Sequence, residues 1–246
     1  MKKVGLMCYR EHEVFDEVIE NLKESDIEAI YYSPEEIIPP EDLEELDAVF
    51  GKRSRNEVYE TLFNAEKMGI ETYNGFCTHL LSDMNPRSYE ILTEGGYDVP
   101  KWSYENDLDG KVVKKPVSER MEAEPELKDG VRPEKGFFYQ DFIPNSGIDY
   151  KLYGIDEGDK KEVFTVRTPS KMRFESDERK LIENDKKLER DVKEIMELFD
   201  NARGIGIDVI KADKDYFIDI NAAPSFRDVP RAPESISKSI ENMLKS

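Results

Sequence analysis

Residues 204–226 read GIGIDVIKADKDYFIDINAAPSF, and this stretch decides the fold. β-Branched and aromatic residues stand on both sides of the polar segment ADKD at 212–215. Residues of this kind favour strands, and a short polar segment between two such runs is typical of a tight turn. The stretch therefore predicts an antiparallel hairpin of two strands.

The predicted hairpin brings three oxygen-bearing side chains together. Side chains two apart on a strand share one face, so Asp219 and Asn221 lie on the same side. With the turn centred between residues 213 and 214, Asp208 comes almost opposite Asp219. Two carboxylates and one amide oxygen suit a hard cation such as Mg²⁺, which keeps further positions for water and phosphate oxygens. The hairpin therefore predicts a magnesium site.

The chain of 246 residues is strongly acidic, with 36 Lys and Arg, 55 Asp and Glu and a formal net charge of −19. Proteins that bind nucleic acid neutralise its phosphates with Lys and Arg, and the same attraction serves an anionic membrane surface. We therefore expect a small-molecule substrate, no nucleic acid and no membrane partner. The excess acid itself indicates a soluble surface.

The cysteines and the apolar runs predict a cytoplasmic protein. Cys8 and Cys77 are far apart and form no CxxC pair, which fits a reducing compartment better than a disulfide scaffold. The apolar run near the N-terminus is short and is typical of a first strand, not of a signal peptide. No run approaches the roughly 20 apolar residues of a membrane span, so we expect no transmembrane segment.

The first 76 residues alternate between strand and helix patterns. This alternation predicts a small, doubly wound α/β lobe around a parallel sheet, without the GxGxxG of a dinucleotide site. The basic segment GKRSR at 51–55 follows the third strand, where it either binds an anionic substrate or is a solvated helix start. The predicted strands of the lobe are residues 2–8, 27–32, 47–51 and 70–73.

Apolar strands dominate the rest of the chain. The acidic segment 118–135, rich in Glu, Pro, Lys and Gly, predicts a mobile loop. Lys115 precedes this loop and either meets a nucleotide phosphate or is a solvated lysine on an edge strand. The predicted strands are 111–117 (KVVKKPV), 137–143 (FFYQDFI), 149–155 (DYKLYGI) and 162–167 (EVFTVR), and the predicted helices are 86–93, 180–199 and 234–244.

Several of these segments, in this order, resemble the signatures of the ATP-grasp superfamily. KVVKKPV resembles its phosphate-binding lysine strand, FFYQDFI resembles its adenine hinge, and IDIN with the earlier Asp208 resembles its metal group. The resemblance covers roughly residues 80–230. It implies an α/β chain with an ATP-grasp fold of two α+β subdomains, preceded by the small doubly wound lobe. The implied domains are the lobe at 1–76, the N-terminal subdomain at 77–140 and the C-terminal subdomain with the metal site at 141–246.

Within the superfamily, the chain most resembles the inositol polyphosphate kinases of the trisphosphate 5/6-kinase type. IDINAAPSF resembles their IDINAFPG, YKLYGID resembles the segment after their hinge, and VRTPSK resembles their RPS stretch. The resemblance implies ATP and Mg²⁺ as cofactors. It implies Asp208, Asp219 and Asn221 as metal ligands, Lys115 and Lys151 on ATP phosphates, Arg167 on the substrate or transferred phosphate, and Gln140, Asp141, Phe142 and Ile143 around adenine.

Three functions are compatible with these motifs. The first is phosphoryl transfer from Mg-ATP to a hydroxyl of a small polyol or phosphorylated substrate, with Lys151 and Arg167 as catalytic residues. The second is a carboxylate–amine ligase that forms an acyl phosphate, as in the glutamate-ligase (RimK-like) branch. The third is a non-catalytic nucleotide-binding domain. The kinases carry a glycine- and histidine-containing loop where this chain has the acidic segment 118–135, whose carboxylates oppose a phosphate-rich substrate.

Overall fold

The computed structural model of the chain describes residues 1–10, 12–105, 107–121, 123–170, 172 and 178–245. Four parallel strands build an N-terminal lobe, in the order β2-β1-β3-β4. Helices between them complete the doubly wound arrangement that the alternating pattern predicts. The strands are β1 (Lys2–Met7), β2 (Ile27–Tyr32), β3 (Ala48–Gly51) and β4 (Glu71–Thr72), and the helices are α1 (Glu13–Glu24), α2 (Pro40–Leu43) and α3 (Asn56–Lys67).

A second sheet follows two further helices, α4 (Phe76–Asp83) and α5 (Asn85–Glu94). Its strands run in the order β5-β8-β6-β7 and pair antiparallel. They are β5 (Trp102–Ser103), β6 (Lys111–Pro116), β7 (Glu126–Asp129) and β8 (Phe137–Asp141). Part of the segment predicted to be a mobile loop is regular structure, because β7 pairs with β6 after a 3₁₀ turn at Glu119–Met121.

A third, antiparallel sheet carries the predicted hairpin, which spans residues 204–221. Its strand order is β11-β10-β9-β12-β13, with two helices on its faces. The strands are β9 (Ile148–Asp156), β10 (Lys161–Pro169), β11 (Lys180–Ile182), β12 (Gly204–Lys211) and β13 (Asp215–Asn221), and the helices are α6 (Lys186–Met196) and α7 (Ala232–Met243).

The predicted helix over 180–199 is wrong at its N-terminal end. Leu181 pairs with Val166 in a strand, and the helix begins only at Lys186. The side chain of Asp185 accepts a hydrogen bond from the N–H of Lys187 and caps the helix at this point. Helix α6 then buries Leu188, Val192 and Ile195 against the third sheet, as their helical spacing predicts.

A β-bulge sets the register of the β12–β13 hairpin. Asp208 pairs with Asp219, but the next pair is Val209 with Phe217, so Ile218 has no partner in the ladder. The turn is therefore centred on Asp213, half a residue before the predicted centre. The extra residue in β13 compensates for this difference. The two aspartates pair as predicted, but the bulge that brings them opposite each other was not predicted from the sequence.

The N-terminal lobe and the third sheet share one apolar core. Helix α7 returns to pack against α1, and buried side chains from both ends of the chain meet between them. Phe15 and Val18 of the lobe belong to the same cluster as Tyr153 of β9 and Ile236 of α7. The division of the chain at residues 76 and 140 stays a prediction. Among the described helices, none is both long enough and apolar enough to cross a bilayer.

Candidate functional site

Two cavities meet at the β12–β13 hairpin. The first has a volume of about 350 Å³ and lies between the second and third sheets. The second, of about 480 Å³, lies between the third sheet and the segment after β13. Lys151, Thr168, Asp208 and Asp219 line both cavities and form the wall between them. A group bound in one cavity would therefore meet a group bound in the other at these four residues.

Three charged side chains stand in one row across this wall. Asp208 on β12 pairs in register with Lys151 on β9 and with Asp219 on β13, so all three share a face. The Nζ of Lys151 lies 2.5 Å from Oδ2 of Asp208. Burial lowers the pKa of Lys151, but the charge of Asp208 and the hydrogen bond to it outweigh burial, so the pKa is raised.

The surroundings of Asp219 disfavour its ionised form. Burial raises its pKa to about 6, against the lowering effect of Lys115 and with a further increase from Asp208. An ionised Asp219 next to Asp208 thus costs free energy that a bound cation would offset. Asn221 lines the second cavity beside them, and its Oδ1 accepts a hydrogen bond of 2.7 Å from the N–H of Ala223.

The donor set fits Mg²⁺ better than a softer metal. Within the described ranges, no three His, Cys, Asp or Glu side chains form a metal cluster. Two carboxylates and one amide oxygen instead suit a hard ion that completes its coordination with phosphate oxygens and water. Ionising Asp219 costs free energy, and a cation bound between Asp208 and Asp219 would offset that cost.

Lys115 enters the first cavity from β6 and binds the residue left unpaired by the bulge. Its Nζ donates to the carbonyl oxygen of Ile218 at 2.7 Å and lies 3.3 Å from the hydroxyl of Tyr89. The Tyr89 hydroxyl also lies within hydrogen-bond distance of Oε1 of Gln140. Burial lowers the pKa of Lys115, and Asp219 and Asp208 oppose that shift. Lys114, by contrast, lies on the other face of the sheet and pairs with Glu134.

The segment after β8 forms one end of the first cavity. Gln140, Phe142 and Ile143 line it, together with Val113 of β6. The N–H groups of Asp141 and Phe142 donate to the carbonyls of Lys101 and Lys111. The N–H of Ile143 has no hydrogen-bond partner within the part of the chain that the structure describes. This edge of the cavity thus offers one backbone donor beside apolar side chains.

Known proteins were then compared with the chain. No model of a known protein family matches it, and no curated protein is similar to it in sequence. Solved structures match over almost the whole length. A RimK-domain ATP-grasp protein from Sphaerobacter thermophilus is 14% identical, with 99% of this chain and 100% of the other covered and a TM-score of 0.75.

Two further structures are similar over nearly the whole chain, with lower TM-scores. D-alanine–D-alanine ligase from Bacillus anthracis, complexed with ATP, is 15% identical, with 100% and 97% of the two chains covered and a TM-score of 0.69. The ATP-grasp ligase PsnB, complexed with a phosphomimetic variant of its minimal precursor, Mg and ADP, is 15% identical, with 98% and 99% covered and a TM-score of 0.68. The chain has the ATP-grasp fold. At these identities the likeness establishes the fold and no more.

Two residues that the sequence predicts for the site lie apart from it in this ATP-grasp fold. Asp141 pairs with Val112, on the face of the second sheet opposite the cavity, so only its backbone borders the site. Arg167 pairs with Tyr150 and is exposed, whereas Lys151 pairs with Val166. Neighbouring strand residues point to opposite faces, so Arg167 lies on the α6 side of the sheet.

Among the described residues, two other arginines line the second cavity, and the sequence motifs include neither of them. The Nη2 of Arg179 donates to the hydroxyl of Tyr153 at 2.6 Å, and its Nε lies 3.1 Å from Oδ2 of Asp228. Arg227 follows the NAAPSF segment and faces the same space. No motif spacing in the sequence connects Arg179 or Arg227 with the other site residues.

A carboxylic acid from the acidic segment also approaches the site. Glu119 lies in the 3₁₀ turn and accepts a hydrogen bond of 3.2 Å from Oγ of Ser54. Burial, followed by repulsion from Asp219, raises its pKa to about 8. The surroundings of Glu119 therefore favour its protonated, uncharged form, which would oppose a bound phosphate less than a carboxylate would.

Residues of the N-terminal lobe hold the loop after the β12–β13 hairpin, here called the metal hairpin because it carries the predicted magnesium ligands Asp208, Asp219 and Asn221. Of the basic segment at 51–55, Lys52 is buried, and its Nζ donates to the carbonyl of Ala223 at 2.6 Å. Burial lowers the pKa of Lys52 to about 8. Asn74 is also buried, and its side chain donates a hydrogen bond to the carbonyl of Ala222 in the same loop.

Proposed function

We propose that the chain is an ATP-dependent carboxylate–amine ligase that uses Mg²⁺. In the proposed reaction, a carboxylate oxygen of the acceptor attacks the γ-phosphorus of ATP, and ADP leaves. An amine then attacks the carbonyl carbon of the acyl phosphate, inorganic phosphate leaves, and the amine proton passes to solvent. The observation that carries the proposal is the shared wall, because Lys151, Asp208 and Asp219 face both cavities.

The first cavity has the chemistry of a nucleotide site. Val113, Phe142 and Ile143 offer apolar surface and a backbone donor for adenine, and Lys115 and Lys151 offer ammonium groups for phosphates. Asp208, Asp219 and Asn221 would hold Mg²⁺, which when bound neutralises charge on the phosphates. Phosphoryl transfer requires mainly such positioning and charge neutralisation from the protein.

The second cavity suits a carboxylate acceptor better than a hydroxyl acceptor. A hydroxyl needs a general base to take its proton, whereas a carboxylate is already ionised at neutral pH. Among the described residues, the carboxylates that line this cavity are Asp208 and Asp219, which belong to the proposed metal site, and Asp228, which pairs with Arg179. Arg179 and Arg227 together offer the planar donors that bind carboxylates.

The acceptor is either a small acid or one side chain of a peptide. The volume of about 480 Å³ is sufficient for an amino-acid-sized molecule. One of the similar structures, PsnB, is complexed with a precursor peptide variant. A peptide acceptor would place one acidic side chain between Arg179 and Arg227 and leave the rest of the peptide outside the cavity.

A kinase is the second candidate. Arg179 and Arg227 would also bind a phosphorylated polyol, and the segment VRTPSK resembles that of the inositol polyphosphate kinases. In this segment, Arg167 lies on the far face of the sheet and Lys171 lies outside the described residues. The kinase therefore has less support than the ligase from the second cavity.

Trapping with hydroxylamine separates the two candidates. The protein is incubated with Mg-ATP, hydroxylamine and pooled carboxylic acids or acidic peptides, and both ADP and hydroxamate are measured. A ligase gives ADP and hydroxamate in equal amounts, because hydroxylamine attacks the acyl phosphate. ADP release that depends on a polyol, without hydroxamate, would establish the kinase instead. ATP binding without ADP release under any condition would point to a non-catalytic domain.

A further inference from the structure

The loop that follows the metal hairpin is held from outside its own sheet. The four backbone polar groups of Ala222 and Ala223 all have partners. One partner is Oδ1 of Asn221, which accepts from the N–H of Ala223. The other three partners are side chains from the first 82 residues of the chain: Lys52, Asn74 and Ser82.

Asn74 makes the most extensive of these contacts. Its Nδ2 donates to the carbonyl of Ala222 at 2.6 Å and to the carbonyl of Gly204 at 2.7 Å. Its Oδ1 accepts from the N–H groups of Arg203 at 2.7 Å and Gly204 at 3.0 Å. One side chain thus joins the first residues of β12 to the loop after β13. It does so while 1% exposed, where an unmade hydrogen bond is costly.

The other two contacts fix the same loop at neighbouring atoms. The N–H of Ala222 donates to Oγ of Ser82 at 3.3 Å, and the Nζ of Lys52 donates to the carbonyl of Ala223 at 2.6 Å. Lys52 and Asn74 lie just after β3 and β4, at the carboxyl edge of the parallel sheet, where such sheets usually place a ligand. Here that edge holds a backbone loop.

We propose that Asn74 is a positioning residue that sets the magnesium-binding geometry of Asn221 through the Ala222–Ala223 loop. The proposal rests on the metal site of the proposed function. Groups that orient metal ligands without touching the metal contribute strongly to affinity, because a ligand free to rotate loses its geometry. Oδ1 of Asn221 accepts a hydrogen bond from the N–H of Ala223. If the loop lost its contacts at Ala222, this N–H would move and would no longer hold Oδ1 in place.

Asn201 offers a matched control. It is another asparagine that joins the lobe to the segment before β12, through hydrogen bonds from its Nδ2 to Thr72. It makes no hydrogen bond to residues 221–223 within the described part of the chain. Its φ of 54° favours glycine as the replacement, so Asn201→Gly removes the side-chain contacts without adding backbone strain.

The test compares Asn74→Ala, Asn201→Gly and the wild-type protein. Binding of a non-hydrolysable ATP analogue is measured by calorimetry over a range of Mg²⁺ concentrations. We expect Asn74→Ala to need about tenfold more Mg²⁺ for half-maximal binding, and to reach wild-type binding at high Mg²⁺. We expect Asn201→Gly to keep the wild-type requirement. Equal requirements in the two variants would overturn the proposal, and so would a loss of binding in folded Asn74→Ala that high Mg²⁺ does not restore.

A second measurement needs no ligand. Hydrogen exchange of the peptide that contains residues 219–224 should be faster in Asn74→Ala than in Asn201→Gly, and equal rates would contradict the proposal. Failure of the wild-type protein to bind nucleotide would reject the proposed function and leave this comparison valid. If Asn74→Ala does not fold, Ser82→Ala removes one contact to the same loop. It should raise the Mg²⁺ requirement in the same direction, and an unchanged requirement would overturn the proposal.

Discussion

The Nζ of Lys115 donates a hydrogen bond of 2.7 Å to the carbonyl oxygen of Ile218, the residue that the β13 bulge leaves without a ladder partner. The bulge thus has two effects. It restores the pairing of Asp208 with Asp219, and it turns a backbone carbonyl toward a buried ammonium group. The second and third sheets are joined at this bond, next to the metal site.

Replacing Lys115 should weaken nucleotide binding, whereas replacing its neighbour should not. Lys115 lines the first cavity, but Lys114 pairs with Glu134 over the ring of Phe137, on the other face of the sheet. Loss of a charge-assisted contact to phosphate costs about 1.5–3 kcal/mol, or roughly 10- to 100-fold in affinity. We expect that loss for Lys115→Met and a change of less than about twofold for Lys114→Met, both measured by calorimetry with an ATP analogue. Equal losses would contradict the assignment.

The sequence predicted the parts of the fold that depend on local pattern. The parallel lobe followed from alternating strands and helices, and the hairpin followed from the turn residues, although the bulge that pairs Asp208 with Asp219 did not. The start of α6 was placed too early because Leu181 fits the helical spacing. A strand partner, Val166, decides its conformation, and that partner is set by tertiary structure.

The rest of the site depends on contacts between distant parts of the chain. Asn74 bonds residues about 130 and 148 positions further along, and Arg179 meets Tyr153 across two strands. No spacing rule connects such residues in a single sequence. The placement of Glu119 was equally hidden, because the acidic composition of the segment indicates a solvated carboxylate, whereas Glu119 is half-buried and accepts a hydrogen bond from Ser54.

The two paired aspartates should differ in their effect on stability. Asp219→Asn removes a carboxylate whose pKa is raised to about 6, so ionised Asp219 destabilises the metal-free protein at pH 7. We expect a free energy of unfolding higher by on the order of 1 kcal/mol. Asp208→Asn instead leaves Lys151 without its ion-pair partner. This substitution should lower the free energy of unfolding by about 2 kcal/mol. Denaturant titration without Mg²⁺ measures both values. Changes of the same sign would contradict this account.

Both substitutions should abolish the dependence of nucleotide binding on magnesium. Each removes a charged oxygen from the proposed donor set, and a neutral amide is a weaker ligand for Mg²⁺. The matched variant is Asp213→Asn, which changes an exposed aspartate in the turn of the same hairpin. Binding of an ATP analogue is compared at low and high Mg²⁺. An unchanged magnesium requirement in Asp219→Asn would rule out the metal assignment.

Glu119 should make the metal-free protein less stable as the pH rises. Its pKa is raised to about 8 in the folded protein, so its contribution is fully present below its unfolded pKa, about 4.5, and is lost as the pH rises through 8. Glu119→Gln removes this dependence. Between pH 5 and 8.5, the free energy of unfolding should fall less in the variant than in the wild-type protein. The expected difference is on the order of 2 kcal/mol. Parallel stability curves for the two proteins would show that Glu119 ionises normally.

Gly206 should be required for the loop after the metal hairpin. A Cβ at this position would lie 2.9 Å from Cβ of Pro224, which belongs to a rigid ring. Gly206→Ala should therefore displace the loop and raise the Mg²⁺ needed for nucleotide binding by about fivefold or more. Gly154→Ala, on the adjacent strand, meets Met196 and Val192 instead. It should lower stability by about 1–3 kcal/mol without changing the magnesium requirement. A shared magnesium defect would contradict this distinction.

Arg179, and not Arg167, should bind the transferred phosphoryl group. Arg179 lines the second cavity beside Lys151, whereas Arg167 is exposed on the opposite face of the sheet. ADP with Mg²⁺ and aluminium fluoride mimics the group in transfer, so its affinity can be measured without knowing the acceptor. We expect Arg179→Ala to weaken this complex by about 10- to 100-fold while changing ADP affinity little, because Arg179 lines the second cavity and not the first. Arg167→Ala should leave both affinities within about twofold of wild type. The reverse pattern would assign this role to Arg167. Strand β10 would then have to rotate when nucleotide binds, so that Arg167 faces the cavity.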